Sequence, residues 1–205
     1  LGWILDKPYR DGGSSRYFTI AGVSGKNNSH LKIGKAIRKL HKEQKWTSKN
    51  EKKWANIGSQ PKVKFADIAV DLVKNNKDIE IFVVYLDKNK FPEHIRSGNH
   101  HLIYSWMVSE FICNNLKTTN YISLCPDSLN EGFGNTVFED LIKKYFWFDE
   151  KLDNSVKRVN YNSHFNDGLA FCDFIAGAVQ DHLENKKSDP FNIIKNHIII
   201  SESVI

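Results

Sequence analysis

The stretch Leu169-Ala170-Phe171-Cys172-Asp173-Phe174-Ile175-Ala176-Gly177-Ala178-Val179 is apolar or glycine at every position except Asp173. It lies between Ser163-His164-Phe165 upstream and Gln180-Asp181-His182 downstream. A run of this length and composition predicts a helix buried on nearly all sides with a single carboxylate inside it. An ionised carboxylate taken out of water alone costs several kcal/mol, so Asp173 requires a partner. It is a structural salt bridge, a cap on a neighbouring segment, or a metal ligand; the last needs other acids brought to the same place. Ala176, Gly177 and Ala178 carry almost no side chain, so the helix is expected to lie close against a sheet.

Outward from this helix the chain alternates strands and helices. Glu80 to Leu86 is continuously apolar after its first residue and closes on Asp87, the pattern of a central strand covered on both faces. Gly2 to Asp6 and Arg16 to Val23 form an opening hairpin around a loop rich in turn formers. Asn120 to Leu124 is a short strand leading into Cys125-Pro126-Asp127, and Val156 to Asn162 is another. Helices are expected over His30–Trp46, Lys62–Asn75, His101–Leu116 and Phe133–Phe148, with Gly58-Ser59-Gln60-Pro61 breaking the pattern before the second. One domain covers residues 1–187, and the tail 188–205, with Ile198-Ile199-Ile200, packs on it. This is an α/β layout, a mixed sheet flanked by helices. In such sheets, acids at strand ends open toward one crevice, and Asp6 and Asp127 each follow an apolar strand.

With 205 residues, 40% of them hydrophobic, the chain suits one sizeable domain. No apolar run is long enough to cross a bilayer, and Leu1 to Leu5 is too short for a secretory signal. Cys113, Cys125 and Cys172 lack zinc-type spacing and cannot all pair, which fits a reducing, cytoplasmic setting. The net charge is +5, yet ten Lys and Arg stand against two acids between Lys35 and Lys64. Such a surplus attracts phosphate backbones, although a solvated helix face is the commoner meaning of a basic run. Trp46 and Trp54 flank it as base-stacking candidates or, more commonly, packing residues. His164 and the pair His100-His101 read first as surface histidines.

Five stretches taken together, Ile4-Leu5-Asp6, Tyr17-Phe18-Thr19-Ile20-Ala21-Gly22-Val23, Glu51-Lys52-Lys53-Trp54, Pro126-Asp127, and Ser163 with Leu169 to Gly177, have an order and spacing that resembles a known pattern. The chain resembles the domain of unknown function 3800 family of bacteria and phages, which is regarded as having a ribonuclease-H-like fold. The resemblance implies a metal-dependent nuclease, a hydrolase of RNA or DNA phosphodiesters, in a phage-defence or mobile-element setting. Its acidic set maps to Asp6, Glu51, Asp127 and Asp173, as catalytic residues and as ligands of Mg²⁺ or Mn²⁺ in a two-ion site. Clustered carboxylates stay ionised together when divalent cations hold them, and oxygen donors select these metals. Lys7, Lys45, Lys49, Lys52 and Lys53 are the nucleic-acid-binding candidates. Where the family has Glu-Ser-Gly after the first acid, this chain has Lys7-Pro8-Tyr9, and Lys7 either contacts phosphate or neutralises the site in place of a metal. The alternative function is a catalytically inactive module of the same fold that binds nucleic acid or a protein partner. Expected partners are thus RNA or DNA and a second copy of the chain or another protein, with no membrane.

Overall fold

Alternating side-chain direction along two almost continuously buried strands divides the interior into two cores. In the computed structural model, β2 (Tyr17–Gly25) and β3 (Ile79–Asp87) pair antiparallel from Tyr17 opposite Asp87 to Gly25 opposite Ile79. Successive side chains of a strand point to opposite faces. Ala21, Val23, Ile79, Ile81 and Val83 therefore join one core, and Phe18, Ile20, Phe82, Val84 and Leu86 the other. The apolar run of β3 is thus covered on both sides, as its sequence implies. The structure describes residues 2–6, 15–26, 28–46, 52–90, 92, 103–109, 111, 121–126, 135–153, 155–158, 166–184 and 186–203, with 2–6, 124, 135–138, 156, 158 and 166 described by backbone alone.

Four further strands complete the described sheet: β1 (Gly2–Asp6), β4 (Tyr121–Pro126), β5 (Ser155–Arg158) and β6 (Ile199–Glu202). Their order is β5-β4-β1-β2-β3-β6. β1 is antiparallel to β2 and parallel to β4, while β4–β5 and β3–β6 are also parallel. Parallel neighbours need crossover connections, which the helices supply. One face carries α1 (Ser29–Glu43), α2 (Ser59–Lys74), α5 (Asn166–Leu183) and α6 (Asp189–Ile194). The other carries α3 (residues 103–109) and α4 (Asn135–Lys144), with Phe111 stacked on Phe82 at 4.4 Å between ring centroids. The tail packs on this same body through Ile194, which is buried, and through β6, which extends the sheet beside β3.

Local chemistry departs from the sequence expectation at two places. Gly58-Ser59-Gln60-Pro61 does not break α2 but starts it, with Gly58 as the N-cap and Pro61 in the first turn, where a missing amide hydrogen costs nothing. The helix expected to end at Phe148 changes pitch after Lys144 into a π-helical turn, Tyr145–Asp149, which buries Phe146 and leaves Trp147 and Phe148 exposed. The strand expected over 156–162 is present over Ser155–Arg158, and 159–162 lie outside the described residues. No described helix is long and apolar enough to cross a membrane.

Two ion pairs tie element ends to the sheet. Ser29 donates to Asp78 at 2.5 Å, and Lys32 reaches the same carboxylate at 3.4 Å, so an acid from the α2–β3 turn sits at the α1 N-terminus, where the helix dipole favours it. At the far end of β3, Asp87 is 2% exposed and accepts Arg16 Nε at 3.0 Å and the Asn89 amide at 3.0 Å. The hydrogen bond from Arg16 outweighs burial and holds the Asp87 carboxyl below its usual range. Stability from such a group is fully present above the unfolded carboxyl pKa of about 3.9 and is lost as pH falls through the lower, folded value. Between about pH 5 and pH 3 the urea midpoint should therefore fall further for the unsubstituted protein than for Asp87→Asn. Equal falls would remove Asp87 as a source of acid sensitivity.

Candidate functional site

Helix α5 packs against β1 and β2 and is fastened at its C-terminal end to the start of β2. There the Tyr17 amide donates to Glu184 Oε1 at 2.9 Å, and Gln180 Nε2 donates to the Tyr17 carbonyl at 3.4 Å. Phe171, Cys172, Phe174, Ile175, Ala176, Ala178 and Val179 are buried, as the apolar run predicts, whereas Asp173 is partly buried. Its carboxylate is engaged from outside the helix. The backbone amide of Trp54, which opens the short 3-10 turn Trp54–Asn56, donates to Asp173 Oδ2 at 3.0 Å. Asp173 therefore caps a neighbouring segment, one of the roles its sequence position left open.

Trp54 makes the rest of this arrangement. Its indole lies over Gly177, one helical turn beyond Asp173, and a Cβ built on Gly177 would overlap the ring. The helix lies against β1 and β2 with Ala176 and Ala178 buried, as the small residues suggest, while Gly177 between them gives room to the Trp54 side chain. A further turn along, Asp181 Oδ2 accepts the indole Nε1–H at 2.9 Å and Lys62 Nζ at 2.9 Å. Lys62 also stands 4.5 Å from the Trp54 ring centroid, a cation–π distance. Phe65 and Phe174 meet the ring edge-on at 6.2 and 5.8 Å, and Trp54 is 4% exposed. Trp54 is therefore a core residue and not a base-stacking surface. Asp173, Gly177 and Asp181 recur every fourth residue on one face of α5. That spacing was available in the sequence; only the identity of what docks on it was not.

Of the other predicted acids, Asp6 is described by its backbone, and Glu51 and Asp127 lie outside the described residues. Asp6 ends β1, where its register partner on β2 is Ala21, a fully buried member of the core that α5 covers. Leu5 stands opposite Pro126 of β4. The side chain of Asp6, and all of Glu51 and Asp127, lie outside the described residues, as do Lys7, Lys49, His100, His101, Cys113, Ser163 and His164. Among the described residues no three His, Cys, Asp or Glu side chains come together as a metal cage. The donor type fits nonetheless: Asp173 offers carboxylate oxygen, with one oxygen oriented by a backbone amide, the hard-donor chemistry suited to Mg²⁺ or Mn²⁺.

The basic stretch resolves into paired and unpaired charges. Lys32 pairs with Asp78, Arg38 with Asp167 and Lys64 with Glu43. Lys35, Lys39 and Lys42 line the exposed face of α1 and make no ion pair with a described residue. Lys45 is exposed and takes a left-handed backbone, φ 54°, just past the end of α1. Lys53 is exposed, and Lys52 lies 6.0 Å from the ring centroid of Trp46. His41 packs edge-on against Trp46, and burial, aided by Lys52, lowers its pKa despite Asp167, so it adds no charge to this face near neutral pH.

Among solved structures the chain is similar to one described as the PCNA:RNase HII complex from Archaeoglobus fulgidus. The TM-score is 0.54 at 12% sequence identity, over 97% of this chain and 80% of that one. The likeness is one of fold. No protein-family model matches the sequence, and no curated protein does. The fold so shared is a mixed α/β architecture with helices on both faces of the sheet.

Proposed function

We propose that the chain is a ribonuclease-H-like, divalent-metal-dependent nuclease that hydrolyses phosphodiester bonds of RNA or DNA. The observation that carries this is the parallel β1–β4 pair at the centre of the sheet, with Leu5 opposite Pro126. The residue following each of these in the chain is an acid, Asp6 and Asp127. Helix α5, which bears Asp173, lies on β1, and Glu51 is three residues before the Trp54 amide that Asp173 holds. The likeness in fold to RNase HII supports the same reading.

In this proposal Asp6, Glu51, Asp127 and Asp173 hold Mg²⁺ or Mn²⁺. When bound, such ions lower the pKa of water and neutralise charge on the departing oxygen. The chain's own part is to keep four carboxylates ionised in one crevice and to hold the polyanion beside them. Lys7, Lys45, Lys49, Lys52 and Lys53, with the α1 stripe Lys35, Lys39 and Lys42, supply that attraction without reading sequence.

Labelled RNA, DNA and hybrid duplexes incubated with the pure protein in Mn²⁺ are expected to be cut, and EDTA is expected to stop the cutting. Binding measured in Ca²⁺ should weaken with salt, and replacing Lys35, Lys39 and Lys42 by Gln should reduce the log–log salt slope by about 2–3. Salt-sensitive binding with no cleavage, and no thermal shift on adding Mn²⁺, would instead identify a nucleic-acid-binding module without catalysis.

A further inference from the structure

We infer that the C-terminal end of α1 is a subsite for unpaired bases, with the Trp46 indole as stacking platform and Lys42, Lys45 and Lys52 as contacts to the flanking phosphates. The inference deepens the nuclease reading by naming a substrate class, nucleic acid with a single-stranded stretch, and rests on that reading only for the nucleic acid. The end of the helix puts the ring where it is. The Trp46 amide donates to the His41 carbonyl at 2.9 Å and the Lys45 amide to the Lys42 carbonyl at 3.2 Å, the paired closing bonds of a Schellman end. That closure folds Trp46 back onto the helix, edge-on to His41 at 5.3 Å, with part of the side chain against the core and part exposed. It also requires a left-handed residue at Lys45, φ 54°, a position that glycine fills without steric cost. A lysine there gives up stability and keeps a charge beside the ring.

Trp46 and Trp54 stand in opposite conditions. Trp54 is 4% exposed, and its ring N–H is taken by Asp181. Trp46 is partly exposed, and among the described residues nothing accepts its ring N–H. Packing uses the first ring on every side, while the second leaves aromatic surface in solvent. The charge around that surface has one sign. Lys52 Nζ stands 6.0 Å from the ring centroid, Lys42 and Lys45 are exposed, and Glu43, the one acid of α1, is matched by Lys64 at 3.5 Å. Lys35, Lys39 and Lys42 rise along one face of α1 over about 10 Å and lead to the ring. A file of ammonium groups ending at an aromatic ring is the arrangement that holds single strands, with the backbone on the cations and a base on the ring. In a duplex the bases are stacked on one another inside and do not meet the indole, so the ring adds affinity for unpaired bases alone.

The test is binding in EDTA, read by fluorescence anisotropy, of the full chain and of Trp46→Leu, Trp46→Phe and Lys45→Gly to labelled oligothymidylate and to a blunt duplex of the same length, with urea midpoints to check folding. Trp46→Leu should weaken oligothymidylate binding by about 5–100-fold, the worth of one stacked base, and leave duplex binding within about twofold. Trp46→Phe, which keeps a ring face, should retain most of the affinity. Lys45→Gly should raise the urea midpoint while it weakens oligothymidylate binding and lowers its log–log salt slope by about 0.7, opposite signs that a merely structural lysine does not give. Bound oligothymidylate should also quench tryptophan emission in the unsubstituted protein and not in Trp46→Phe, a readout that serves if the leucine variant does not fold. Unchanged oligothymidylate binding in folded Trp46→Leu, equal loss on single strand and duplex, or equal quenching with and without Trp46 overturns the platform. So does an unsubstituted protein with no affinity for oligothymidylate. Binding that depends on Trp46 in a protein that cuts nothing in Mn²⁺ upholds the platform and removes the nuclease, so the two readings fail separately.

Discussion

Asp173→Asn should lose at least about a hundredfold of Mn²⁺-dependent cleavage while remaining folded. The asparagine oxygen can still accept the Trp54 amide, so the cap on the 3-10 turn survives while the negative charge goes. Asp173→Ala removes both. It leaves the amide of a residue that is 4% exposed without this acceptor, at a cost of about 1–3 kcal/mol. Comparing the two separates chemistry from stability: cleavage should be equally poor in both, and only the alanine variant should unfold at a clearly lower urea concentration. Asparagine activity equal to that of the unsubstituted protein would leave Asp173 a cap and nothing more.

Trp54→Ala should be among the most destabilising single substitutions in the chain. Removing a buried tryptophan costs about 3–5 kcal/mol. For a chain of 205 residues, that lowers Tm by about 6–20 °C. The loss has three physical parts: the edge-on contacts with Phe65 and Phe174, the cavity above Gly177, and a Lys62–Asp181 pair that no longer has a ring beneath the ammonium. Trp54→Phe keeps the aromatic contacts but not the ring N–H, and should fall between the two. A drop of less than about 3 °C by calorimetry for Trp54→Ala would show that the 3-10 turn is not fastened to α5 through this residue.

How far the residues alone reveal this structure depends on whether a feature is local. The burial of α5 and of β3 is written in uninterrupted apolar runs, and the layered α/β architecture follows from their alternation. Asp6 is visible as the end of β1 for the same reason, since it closes an apolar strand. Partners distant in the chain are not visible. Nothing near Arg16 announces Asp87, and nothing near Trp54 names Gly177. Asp181 reads as one more polar residue at a helix end until Lys62 and the indole reach it from other elements. The Gly58 to Pro61 stretch misleads because glycine and proline punctuate helix starts as readily as they end helices. For Glu51, Asp127 and Lys7 the sequence reading stands as an expectation, since these residues lie outside the described ones.

Anomalous diffraction from a crystal soaked in Mn²⁺ asks most directly whether four acids far apart in the chain share one ion. A peak ligated by Asp6, Asp127 and Asp173, with Glu51 as ligand or close behind, is the expected result. Carboxylates pointing to separate places, or the ammonium of Lys7 seated among them with no anomalous signal, would contradict it.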